Sequence, residues 1–197
     1  MTTVLGMDTT RPRKAERLPH SVTWGLLGAW ALHDLEELVM IPGWSRRARP
    51  RLERALPWVP SRVWDTLDVS PKHNATAIGL VGLIIAAAAA DGARTNGRSG
   101  FYQTTLIGFG LHSLTHVAQA VATRGYTPGV VTAPLVVAPF SLWAWCRLRR
   151  TGVPIAPGGN ASALLALPVT LAAVHGLAHV ITNARTTAEP AGTPADQ

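Results

Sequence analysis

Seven side chains in this 197-residue chain combine a residue type and a spacing that suit a metal ion. His33, Glu36 and Glu37 stand at i, i+3 and i+4; His112 and His116 are four apart, and so are His175 and His179. Residues three or four apart share a helical face about one turn from each other, so each set would aim its donors in one direction. Neutral imidazole and carboxylate together suit zinc, iron and other first-row metals. The sequence therefore predicts a divalent metal ion, iron or zinc, held by His33, Glu36, Glu37, His112, His116, His175 and His179. Glu36 or Glu37 would also be available as a catalytic acid or base. Asp34 is rotated about 100° from His33 and suits a supporting role better than ligation.

These residues interrupt segments that are otherwise apolar. An ionisable side chain at the centre of a membrane-spanning helix costs roughly 2.5–3.5 kcal/mol on insertion scales, so each needs a partner inside. Five segments approach the about 20 apolar residues that cross about 30 Å of hydrocarbon. They are 22–42, 74–90, 102–123, 128–147 and 161–183, the second carrying the uninterrupted run GLVGLIIAAAAA. The expected fold is all-α, a polytopic membrane helix bundle of about five transmembrane helices over 21–183. A polar, basic tail over 1–20 precedes it and a disordered tail over 184–197 follows. In a five-span serpentine the first, third and fifth spans run the same way. Their polar residues then lie at similar depths, which allows one shared site.

The basic connection after the first span carries Trp44, Trp58 and Trp64 among arginines. Tryptophan and arginine favour the headgroup layer, so one or two short interfacial helices are expected, broken by Pro50, Pro57 and Pro60. Pro134, Pro139 and Pro168 are candidate kinks in spans four and five. His73 and Asn74, in SPKHNA, read better as a helix cap than as ligands. Gln119 and Asn183 continue the two histidine faces by one turn and are supporting candidates.

Composition agrees with a membrane class: 47% hydrophobic residues, 15% charged and a mean hydropathy of +0.18. The net charge of +7 comes from clusters beside apolar blocks, such as RLRR at 147–150, which is how juxtamembrane anchors are placed. Nucleic acid is not an expected partner; the lipid bilayer and a hydrophobic or lipid-like small molecule are. Lys and Arg balance on the two sides, so the positive-inside rule gives no orientation. The polar amino-terminal stretch does not read as a signal peptide, and the expected location is multi-pass in a bacterial cytoplasmic membrane. Cys146 is the single cysteine, which excludes an intrachain disulfide and a cysteine-based metal site.

The tract His33-Asp34-Leu35-Glu36-Glu37 resembles the motif of the HXXEE family of integral membrane proteins, with the motif in the first span and further intramembrane histidines later. The resemblance extends over about 21–183. It implies functional roles for His33, Glu36 and Glu37, and a membrane enzyme or metal-binding protein as the class, without a substrate.

Seven ligands exceed the needs of one zinc, which favours a dinuclear site, di-iron and oxidative, over a single hydrolytic zinc. Two haems on the two histidine pairs would stand about 6 Å apart along the axis, too close for stacked macrocycles; a single haem stays open. Intramembrane His and Glu also build proton or metal-ion pathways, so a transporter is the alternative. A structural network of polar helix contacts is the remaining one.

Overall fold

The structure, a computed structural model, describes residues 17–66, 68, 70–156 and 159–187; the side chains of 66, 159–163 and 185–187 are outside that description. Of the expected tails, 1–20 and 184–197, residues up to 16 and from 188 also fall outside it, while 184–187, expected to be disordered, continue the last helix. Among the described residues all regular structure is helical and no strand occurs.

The chain begins with a short helix α1 (His20–Thr23), continued after Trp24 by α2 (Gly25–Met40). Gly43, at a left-handed φ of 72°, turns it into α3 (Trp44–Ala55) and then α4 (Ser61–Thr66). The long helices α5 (Pro71–Arg94) and α6 (Gly100–Ala122) follow. A π-helical turn (Ala133–Val137) leads into α7 (Ala138–Arg150), and α8 (Gly159–Thr187) completes the described chain.

Local signals account for the ends. Ser70 Oγ accepts from His73 N with Pro71 in the first turn of α5, and Ser99 Oγ accepts from Tyr102 N at the start of α6. Ser70 is thus the cap that SPKHNA was expected to contain, which leaves the His73 and Asn74 side chains for other contacts. The connection breaks at Pro57–Pro60, but not at Pro50, which lies inside α3. There the proline forfeits one backbone hydrogen bond, and apolar packing of Ala48 and Leu52 on Trp64 holds the helix pair together. The π turn falls where Pro139 has no N–H to offer the Leu135 carbonyl, and Ala138 N instead donates to Ala133 O.

Helices α2, α5, α6 and α7 form a ring in which each packs on the next and α7, with its π turn, closes on α2. Helix α8 lies in the groove between α5 and α6. Val22, Leu26, Tyr102, Leu106 and Val137 fill one end of the ring. The Tyr102 hydroxyl donates to the Val22 carbonyl at 2.6 Å, and its ring lies against Gly92, where an added Cβ would stand 2.6 Å from ring carbons. The other end of the ring is polar inside: His33, Asp34, Asn74, Ser113 and His116 are buried. Outward faces are apolar, with Leu35, Leu114, Val121, Leu142, Val169 and Val180 exposed. Two segments, Pro71–Arg94 and Leu164–Ala184, are long and apolar enough to cross a membrane by length and composition.

Gly92→Ala is expected to destabilise the protein by about 1–3 kcal/mol, because a methyl group there overpacks the Tyr102 ring. Tyr102→Phe should cost about 1 kcal/mol, the scale of one interhelical hydrogen bond. Unfolding titrations in detergent compare both with the wild type.

Candidate metal centre

His33, Glu36 and Glu37 project from α2 at the polar end of the ring, facing α6 on one side and the turn before α7 on the other. His33 is fully buried, its ring edge-on to Phe109 with centroids 6.2 Å apart. His116, 4% exposed, and the less buried His112 project from α6, one turn apart. One ligand atom from each of His33, Glu37, His112 and His116 lies within 4.8 Å of all the others, so the group can hold a metal ion.

The hydrogen bonds around these rings decide which nitrogen faces inward. His116 Nδ1 lies 2.9 Å from the Pro128 carbonyl, an acceptor, so Nδ1 carries the proton and Nε2 of the neutral ring is bare. Thr132 Oγ1 donates its one proton to Glu36 Oε2 at 2.7 Å and stands 2.8 Å from His33 Nδ1. It can then only accept from His33, which places the proton on Nδ1 and the lone pair on Nε2. That His33 Nε2 atom is buried without a hydrogen-bond partner. It faces Glu37 Oε1 at 4.0 Å; the same oxygen is 3.3 Å from His116 Nε2, which is 2.9 Å from His112 Nε2. His112 Nε2–H can donate to the bare His116 Nε2 at that distance, and a cation between the two rings would take the place of that proton. Ligands at about 2.0–2.2 Å from one tetrahedral ion would be about 3.4 Å apart, and these separations bracket that value.

Glu36 points the other way. Its carboxylate accepts from the Tyr126 hydroxyl at 2.8 Å, from Thr132 N at 2.9 Å, from Thr132 Oγ1 and, at 3.4 Å, from Val131 N. It holds the turn that holds His33, as the outer partners of metal-bound histidines do. Burial first, then the hydrogen bond to Glu36, pushes the Tyr126 phenol up to about 12, so it stays a donor. The Tyr126 carbonyl in turn accepts from Trp44 Nε1 and Arg51 Nη2, which ties α3 to the same turn.

Gly129 makes the approach possible. Its φ is 84°, and a Cβ there would stand 2.6 Å from the His116 ring and 2.9 Å from the His33 ring. Thr127-Pro128-Gly129 is a turn-forming tripeptide, but its composition does not tie that turn to the histidines.

His175 and His179 do not join this group. From α8 they meet His73 of α5: His73 Nε2 lies 3.0 Å from His175 Nδ1, and His179 Nε2 accepts from Asn183 Nδ2 at 3.0 Å. Matching depth sets the height of a residue in a bundle and leaves its direction open. Helix α8 lies in the groove between α5 and α6, and the face that carries its histidines meets His73 of α5 there. Gln119 is exposed on α6. Glu37, His112 and His116 of the four-residue group, and the His73 group, line a cavity of about 1180 Å³, bounded by α2, α5, α6, α8 and the α3–α4 connection.

A family model described as protein of unknown function with HXXEE motif matches residues 24–144. No curated protein matches, and no solved structure matches. The matched region holds His33, Glu36, Glu37, His112, His116 and Thr132, whereas His175 and His179 lie beyond it.

Thr132→Val should weaken metal binding about 10- to 100-fold, the usual loss when the partner of a ligating histidine is removed. Gly129→Ala should weaken it at least as much, by displacing two rings at once, whereas Glu37→Gln removes a donor outright. Titration of the metal-stripped protein with zinc or ferrous ion reads all three.

Proposed function

The chain belongs to the HXXEE-motif family, a family of unknown function, and on that premise we propose that it is a membrane-embedded, metal-dependent enzyme acting on a hydrophobic, lipid-like molecule. The observation that carries this reading is the buried, partnerless Nε2 of His33, facing the Nε2 atoms of His112 and His116 and a carboxylate oxygen of Glu37. A packing network would satisfy such an atom with a donor. Its bare lone pair beside other donors suits a cation.

One ion fits better than two. A pair of ions about 3.5–4 Å apart needs bridging carboxylates and further ligands. Glu36 is fully engaged with Tyr126, Val131 and Thr132, and His175 and His179 are engaged with His73 and Asn183. His33, His112, His116 and Glu37 would hold the ion. Four protein donors fill a tetrahedral zinc, while a six-coordinate iron keeps two positions open, which favours iron and oxidative chemistry over hydrolysis. The ion would supply Lewis acidity and, as iron, electron transfer.

The remaining work falls to the protein's own residues. Glu36, through Thr132, keeps the His33 ring in the ligating tautomer. Asp34, buried and on the cavity wall, is the carboxylate left for moving protons. Phe109, Trp30 and the apolar face of α5 keep water out and receive a hydrophobic substrate. The five long helical runs, with polar groups turned inward and apolar side chains outward, support about five spans in a membrane.

Elemental analysis of detergent-purified protein is expected to find about one iron per chain, lost in His33→Ala and His116→Ala variants that still elute as the intact protein. One zinc would redirect the reading to hydrolysis and two irons to a dinuclear centre. Wild-type protein that takes up no metal on reconstitution sinks the proposal.

A further inference from the structure

The same cavity has a second polar region, built from α5 and α8. His73 and Asn74 begin α5 and face His175, His179 and Asn183 across the α5–α8 contact, and all five line the cavity. Asn74 is 4% exposed, and its Nδ2 has no hydrogen-bond partner. A buried amide donor without an acceptor is uncommon in a folded protein, and a ligand that brings the acceptor is one remedy.

This region is built differently from the metal centre. There, His33 and His116 anchor Nδ1 outside and leave Nε2 bare. Here, His73 Nε2 and His175 Nδ1 share one proton at 3.0 Å, and His179 Nε2 already accepts from Asn183. These lone pairs do not converge on one point. Donors outnumber what else remains: the Asn74 amide, the outward N–H of whichever of His73 and His175 accepts the shared proton, and His179 Nδ1–H, against one bare nitrogen on the ring that gives that proton. A set rich in donors recognises an acceptor, and an oxyanion offers several lone pairs to it at once. Much of the remaining wall is apolar, with Ile78, Val81, Ile85, Phe109 and Leu171 among the lining residues.

We propose that His73, Asn74, His175 and His179 form a headgroup subsite that binds the carboxylate or phosphate of an amphiphile whose apolar chain occupies the cavity beside the metal centre. The proposal rests on the reading of the cavity as a substrate chamber and adds the polarity of that substrate. An anionic head held at α5 and α8 would orient the chain so that a carbon some way along it, and not the head, meets the group of His33, Glu37, His112 and His116.

Displacement of a fluorescent dansyl-undecanoic acid from the full chain in detergent tests this. Decanoate and decyl phosphate should displace the probe, while decanol, acetate and inorganic phosphate at equal concentration should not. Asn74→Asp, which keeps the shape and replaces the donor with an acceptor, should weaken displacement by decanoate at least about tenfold. His175→Ala, at an exposed position, should do the same without loss of fold. Metal content should be unchanged in both. Equal displacement by decanol and decanoate, unchanged decanoate affinity in both variants, or loss of a metal ion from His175→Ala would overturn the subsite, and displacement by acetate or inorganic phosphate alone would reduce it to a site for free anions. His116→Ala separates the two readings: it should lose metal and keep decanoate binding. Metal-free wild-type protein that still selects decanoate would remove the enzyme reading and leave the subsite standing.

Discussion

The arrangement depends on unshared electron pairs forced together away from water. Three imidazole nitrogens and one carboxylate oxygen, from α2 and α6, lie within 4.8 Å of one another, and one of the nitrogens is buried with no donor to meet it. Such a cluster is costly by itself: the His33 Nε2 lone pair has neither a donor nor solvent to meet it. It becomes favourable around a positive charge. The tautomers of His33 and His116 are set from outside, by Thr132 and by the Pro128 carbonyl, so that the pairs face inward and the protons outward.

The rest of the polar end serves that convergence. The turn 126–132 between α6 and the π turn touches the site at several points: Pro128 holds His116, Gly129 makes room for two rings, Thr132 holds His33, and Glu36 holds Thr132. The π turn that follows begins at Ala133, directly after Thr132, and leads into α7. Tyr126 extends the same turn to the α3–α4 connection through its carbonyl, and to Glu36 through its hydroxyl. The surface connection is thereby joined through hydrogen bonds to the turn that holds His33 and His116.

The HXXEE motif divides into roles that its spacing did not separate. His33, Glu36 and Glu37 occupy one face, and by periodicity alone both glutamates were equal candidates. One turn of helix covers enough arc for Glu37 to point at α6 and Glu36 at the turn before α7. The donors waiting there, Tyr126, Val131 and Thr132, come from nearly a hundred residues away in sequence. The same limit applies to α8: His175 and His179 carry the ligand spacing, but helix packing assigns them to His73. His73 itself looked like part of a cap, because residues that begin a helix and follow a serine usually are.

The sequence alone determined that the chain is helical, where its apolar runs lie and which ionisable residues interrupt them. Those are local properties: the length of an apolar run and the period of an α-helix are written along one segment. Tertiary structure alone decided which histidines meet, which glutamate joins them and which holds the neighbouring turn, and that a glycine and a threonine in that turn touch the same rings. Those properties depend on the rotation of each helix about its axis and on the path of the loop between them. Packing against other segments sets both, and no single segment encodes it.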